Sequence, residues 1–306
     1  MTSNEGNGQP GIRPGTRNSA VGRRLAPLIG FALVGLLMPG VTLASGGSSG
    51  DQAVRYYVSL GDSLAAGVQP IGDPGDLYRT TDGYADQLFT IASQRYSRLQ
   101  HVKLGCPGET TITMTHGGIC RYPHGSQLDE ALAFLRGHGQ FVAFVTIDVG
   151  SNDFPCETGL ECIAPGVASI SQNLPDILAA LRAAAPGVPI VGATMYDPFL
   201  AAWLTGPEGQ ALAVVSVSQA IVPINDLIEA IYGQLGLALA DVEGAFNTTS
   251  FLPQVPLPGF GDVPLNVATI CAFTWVCAPP PLGPNNHANH DGYHAMALAF
   301  ANALGW

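Results

Sequence analysis

Three short stretches place reactive side chains directly after apolar runs, and a fourth places them at the start of a helical pattern. Val54–Leu60 ends in Gly61-Asp62-Ser63-Leu64. Val102–Leu104 ends in Gly105-Cys106-Pro107-Gly108-Glu109-Thr110, and Phe141–Val149 ends in Gly150-Ser151-Asn152-Asp153. Near the C-terminus, Asp291-Gly292-Tyr293-His294 opens the last helical pattern. A serine hydroxyl becomes a nucleophile when a neutral imidazole takes its proton. His294 is the candidate base, and Asp291, three residues earlier, is placed to hold the useful tautomer. The tetrahedral intermediate formed by attack of Ser63 carries a negative oxygen that needs preorganised donors. The backbone N–H groups of Ser63 and Gly108 and the amide of Asn152 can supply them. Taken singly, Ser63 reads as a helix cap, His294 as a solvent-facing residue and Asp291 as a cap. Only a shared site explains all three together.

The elements that must position these residues emerge from the apolar pattern. Five short apolar runs bounded by Gly, Pro or polar turns read as buried strands: Val54–Leu60, Val102–Leu104, Phe141–Val149, Pro189–Met195 and Leu237–Val242. Helical patterns lie between them at Tyr84–Arg98, Gln127–Arg136, Pro165–Ala184 and Gln210–Leu235, and a last one at Tyr293–Leu304. Such alternation predicts an α/β fold, a parallel sheet with helices on both faces, whose ligands bind at the carboxyl ends of the strands. Tyr196 to Pro198 come after the fourth strand, as a pocket wall or a plain Asp-Pro turn. One segment breaks the rhythm. Residues 247–290 are rich in Pro, Gly and Asn. Their apolar part, 251–267, reads as an active-site cover, an acyl pocket or a surface excursion stapled by a disulfide.

Gly-Asp-Ser-Leu, Gly-x-Asn-Asp and Asp-x-x-His, in this order, resemble the SGNH (GDSL) family of serine esterases and lipases. The resemblance covers the chain from about Val54 to the C-terminus. It implies a three-layer α/β/α sandwich on a five-stranded, flavodoxin-like sheet. It also implies a catalytic set of Ser63, Asp291 and His294 and an oxyanion hole from Ser63, Gly108 and Asn152. The Pro107-Gly108-Glu109-Thr110-Thr111 stretch resembles the family's second block, which favours Gly108 over Gly105. Asp62 and Asp153 then orient loops. The implied activity is hydrolysis of carboxylic esters, of lipids or short acyl chains, without a cofactor. Carbohydrate acetylesterase is the runner-up, and a non-catalytic lipid binder the reading from another class.

The chain has 306 residues. Arg23 and Arg24, the apolar run Leu25–Met38 and Thr42-Leu43-Ala44 have the order of a secretory signal peptide over residues 1–44. Residues 45–52 read as a linker, although Gly46-x-Ser48-x-Gly50 mimics a nucleophile elbow without its strand and helix. Residues 53–306 read as one hydrolase domain. Beyond residue 44 the chain carries 8 basic and 22 acidic residues, a balance that repels nucleic acid. The expected partner is a small-molecule or lipid ester, with transient lipid-surface contact, on a secreted monomer. Six cysteines in a secreted chain suggest disulfides, and their clustering favours Cys106–Cys120, Cys156–Cys162 and Cys271–Cys277. No Cys spacing fits zinc, and of the clustered His287, His290 and His294 the last is already assigned to the catalytic set.

Overall fold

The computed structural model describes residues 53–71, 76–154 and 161–306. The leader and linker expectations over residues 1–52 and the Cys156 half of one disulfide lie outside these. Five parallel strands form the central sheet: β1 (Arg55–Gly61), β2 (Leu99–Lys103), β3 (Val142–Asp148), β4 (Ile190–Ala193) and β5 (Ala238–Ala240). Their spatial order is β2-β1-β3-β4-β5. This is the flavodoxin-like order, and its switch point lies between β1 and β3.

Alternate residues of the strands feed two cores. Tyr57 and Phe144 face one side with α1 (Tyr84–Ser93) and α6 (His290–Ala303). Val58, Leu60, Val145 and Ile147 face the other with α2 (Gln127–His138), α3 (Ile163–Ala184) and α5 (Val222–Leu235). The period of two along each strand sends neighbouring side chains to opposite layers. Both faces are covered, which is why the strands read as continuous apolar runs.

A helix α4 (Pro207–Ser216) runs through a π-helical turn, Val217–Ile221, into α5. Pro223 has no N–H to give, and its ring crowds the carbonyl of Gln219 four residues back. The ladder adjusts one residue early, where Val222 N–H donates to the Val217 carbonyl.

Residues 247–290 are more ordered than their composition suggests. They hold an antiparallel hairpin (Gln254–Leu257 with Gly261–Pro264), a helix (Leu265–Phe273) and the Cys271–Cys277 disulfide. Helix α6 begins at His290 rather than Tyr293, with Asn289 as its cap through the Gly292 N–H at 3.1 Å. Asp291 therefore sits inside the first turn instead of ahead of the helix.

Candidate active site

At the end of β1 the chain must turn over the sheet edge. Gly61 does so at φ +136°, where a Cβ would fall 1.9 Å from Asp148 Oδ1. Asp62 then accepts the Leu64 N–H on Oδ1 at 2.9 Å, an Asx turn that lifts Ser63 out of the strand. Ser63 is half-buried and lines a cavity of about 570 Å³ at the carboxyl ends of the strands.

Gly108 and Asn152 line the same cavity. Gly108 sits at φ +83°, where a Cβ would meet only Ile119 Cδ1 at 3.9 Å, so its backbone favours glycine although its surroundings do not require it. Gly105 instead packs on Ala65 and Ala66 behind the nucleophile turn. The Cys106–Cys120 disulfide brackets Gly108. Asp62 joins the first and third loops: its Oδ2 accepts Ser151 Oγ at 2.5 Å and Asn152 Nδ2 at 3.2 Å. The same amide donates to the Glu109 carbonyl at 3.1 Å. Asp153 ties the third loop to the second by accepting the Thr111 N–H at 2.9 Å and the Thr111 hydroxyl at 2.6 Å.

Beneath Ser63 lies a buried carboxyl pair. Asp148 receives the Tyr84 hydroxyl on Oδ1 at 2.8 Å, and its Oδ2 has no hydrogen-bond partner. Burial, and then the charge of Asp62, hold the Asp148 carboxyl well above the usual range; burial raises Asp62 as well.

The histidine that reaches the cavity is His287. His294, the base expected from the sequence, does not line it. His294 and Asp291 lie on the exposed side of α6, where His294 Nδ1 meets Gln87 Oε1 at 2.9 Å, and neither lines the cavity. His290 also turns outward, to Asp82 at 2.8 Å. His287 sits two residues ahead of the Asn289 cap, on a strand-like segment. Trp275 N–H donates to its carbonyl at 3.0 Å, and Thr274 pairs with Ala288 beside it. The Cys271–Cys277 disulfide closes the opposing segment. Burial lowers the His287 pKa to about 4, so the ring is neutral at ordinary pH.

The apolar 251–267 segment does not form the pocket. No residue of it lines the cavity, whereas Tyr196, Asp197 and Pro198 do. A Ser-His-Asp arrangement unforeseen in the sequence is enclosed elsewhere in the fold. Ser59 Oγ meets His101 Nε2 at 2.8 Å, and Asp86 lies 3.9 Å from His101 Nδ1. Ser59 has no exposure, and His101 is stacked between Tyr57 and Phe89. No carbonyl can reach it. Among the described residues no cluster of three His, Cys, Asp or Glu could hold a metal ion.

A serine, a neutral histidine, Gly108 and Asn152 thus line one cavity at the switch point of a parallel sheet, where such folds bind ligands. The chain belongs to the GDSL-like Lipase/Acylhydrolase family, whose sequence model matches residues 59–295. It is thus a carboxylic ester hydrolase. The fold is shared with the extracellular lipase of Streptomyces rimosus, at 19% identity and TM-score 0.51, over 82% of this chain and 100% of that one. A Parabacteroides merdae structure described as a GDSL-like lipase matches at 14% identity and TM-score 0.51, over 82% and 95%. No curated protein sequence matches the chain.

Proposed function

We propose that this hydrolase works through an acyl-enzyme on Ser63, with His287 as the base. The presence of Ser63 and a neutral His287 in one cavity carries this reading. Ser63 Oγ attacks the ester carbonyl while His287 takes its proton. The oxyanion settles against the N–H groups of Ser63 and Gly108 and the Asn152 amide. One Asn152 proton leaves its long bond to Asp62 or Glu109 to do so. His287 returns the proton to the leaving alcohol, and water then cleaves the acyl group by the same route reversed. No cofactor enters these steps.

The substrate is an ester with an apolar acyl group, of a lipid or a simple alcohol. Phe199 and Leu77, each largely exposed, border the cavity and suit transient contact with a lipid surface. The Cys106–Cys120 and Cys271–Cys277 disulfides support work outside the reducing cytosol, in keeping with a leader over residues 1–44.

The test compares Ser63→Ala, His287→Ala and His294→Ala on p-nitrophenyl butyrate. The first two should lose on the order of 10³-fold or more in kcat. His294→Ala should stay within about twofold, as an exposed residue away from the reacting atoms. The reverse ranking of the histidines would overturn the assignment. Turnover that survives Ser63→Ala would overturn the acyl-enzyme.

A further inference from the structure

The cavity is longer than a carbonyl and its oxyanion hole require. From Ser63 it crosses the carboxyl ends of β3 and β4 to Val242, just past β5. That is three strand spacings, roughly 14 Å. The far arm is walled by Met195, Ala220, Ile221, Ile224 and Val242. Its polar groups are already engaged with one another. Ser216 Oγ donates to Asp197 Oδ2 at 2.6 Å, and Asp197 Oδ1 accepts the Phe199 N–H at 2.9 Å. Thr194 Oγ1 accepts the Glu243 N–H at 2.9 Å, and the Tyr196 hydroxyl donates to the Asn286 carbonyl at 2.7 Å. A sugar hydroxyl entering this arm would meet groups whose best hydrogen bonds are already made and would lose its hydration for little return. A hydrocarbon chain would lose nothing.

The π turn shapes the wall. One extra residue in the turn rotates the downstream side chains by roughly 100° about the helix axis. Ala220 and Ile221, adjacent in sequence, both border the cavity, and Ile224 comes one turn later. Asn225 then locks the helix to the sheet: it accepts the Met195 N–H at 2.8 Å and donates to the Met195 carbonyl at 2.9 Å. The wall is held by bonds at both backbone groups of a cavity residue, so its depth is fixed. π turns of this kind recur at functional sites.

We propose that this arm is an acyl-binding site for unbranched apolar chains. Ala220 and Ile224, set by the π turn, limit the chain to on the order of ten carbons, since an extended chain advances ~1.25 Å per bond. The proposal rests on Ser63 being the acylated residue, because the arm is measured from it.

The experiment reads the ratio of kcat/KM for p-nitrophenyl decanoate to that for the acetate. Ala220→Phe should lower this ratio at least tenfold, and Ile224→Ala should move the best chain length upward by one or more carbons. If Ala220→Phe is inactive on both esters, the ratio is read from Ala220→Val. A ratio within twofold of wild type in both the Ala220 and the Ile224 variants overturns the proposal. Binding separates it from the chemistry. Decanoic acid should raise the Tm of Ser63→Ala protein, and adding Ala220→Phe should abolish the rise. Absence of any rise in Ser63→Ala overturns the arm even if Ser63 is the nucleophile. Turnover surviving in Ser63→Ala instead overturns the acyl-enzyme.

Discussion

His287 Nδ1 lies 2.8 Å from Asn285 Oδ1, and the backbone N–H of His287 donates to the same atom at 3.0 Å. The backbone bond identifies that atom as the amide oxygen, since a nitrogen there could not accept it. The ring nitrogen facing it must carry the proton, which leaves Nε2 with its lone pair for the serine. A neutral amide thus sets the tautomer that a carboxylate sets in a Ser-His-Asp triad. It adds no negative charge to stabilise the imidazolium.

The pH dependence of the rate derives from this pairing. With the His287 pKa lowered to about 4 by burial, the base is neutral well below pH 6. The kcat/KM profile should be flat between pH 5 and 8 and fall only toward pH 4. Asn285→Asp places a negative charge on the ring and should raise the acid limb by ~1–3 pH units. Asn285→Ala should lower kcat on the order of 10²-fold. An acid limb near pH 6.5 in the wild type, unmoved by Asn285→Asp, would exclude His287 as the base.

Asn152→Ala removes one oxyanion donor and should reduce kcat by roughly 10²–10³ with little change in KM. Steady-state kinetics on a short acyl ester measures this. An equal rise in KM at constant kcat would mean that Asn152 only binds the ground state.

Cys106–Cys120 closes a 14-residue separation around Gly108. Replacing both cysteines by alanine should destabilise the fold by ~3 kcal/mol. It should also cut activity well below the new Tm, because the Gly108 N–H loses its anchor. Denaturant titration beside rate measurement separates the effects. Full activity in a folded but weakened variant would show that the disulfide serves stability alone.

Asp197 is almost fully buried, and desolvation raises its pKa to about 6. The folded protein therefore binds a proton that the unfolded chain has released between about pH 4 and 6. Stability falls as pH rises through that window, by roughly 3 kcal/mol at completion. Asp197→Asn removes the ionisation. Its Nδ2 can donate to Ser216 Oγ, whose proton then turns from the residue-197 side chain to the Ala213 carbonyl at 3.0 Å. The variant should melt higher than wild type at pH 7.5 and show no such gain at pH 4.5. A gain of equal size at both pH values would rule out titration of Asp197 as its cause.

The sheet and three of the four loops were legible because each loop comes directly after an apolar strand, and strand ends are where such folds bind ligands. Ser63, Gly108 and Asn152 sit at those ends and meet in the cavity. The histidine was not legible from spacing alone. Residues 287–294 carry three histidines, and Asp-x-x-His selects the pair 291 and 294. Helical geometry places that pair on the exposed face. The buried positions of α6, Tyr293, Met296, Ala297 and Phe300, define its inward stripe. Asp291, His294 and the exposed Leu298 succeed one another at spacings of three and four on another face. The apolar stripe in the sequence already set Asp291 and His294 apart from the buried face, but it says nothing of a residue ahead of the helix. The bonds that seat His287, from Trp275 and Asn285, come from residues without apolar periodicity, so pattern reading had nothing to grip.

Gln127 pairs with both backbone groups of Gly61, at 2.7 and 2.9 Å, as Asn225 does with Met195. With Asn285 on His287, three uncharged amides hold the ends of β1 and β4 and the imidazole in place. Salt screens interactions between charges, and these clamps carry none. The bonds these three amides make to Gly61, Met195 and His287 are therefore indifferent to ionic strength, so brine should act on the enzyme through its carboxylates and leave these clamps untouched.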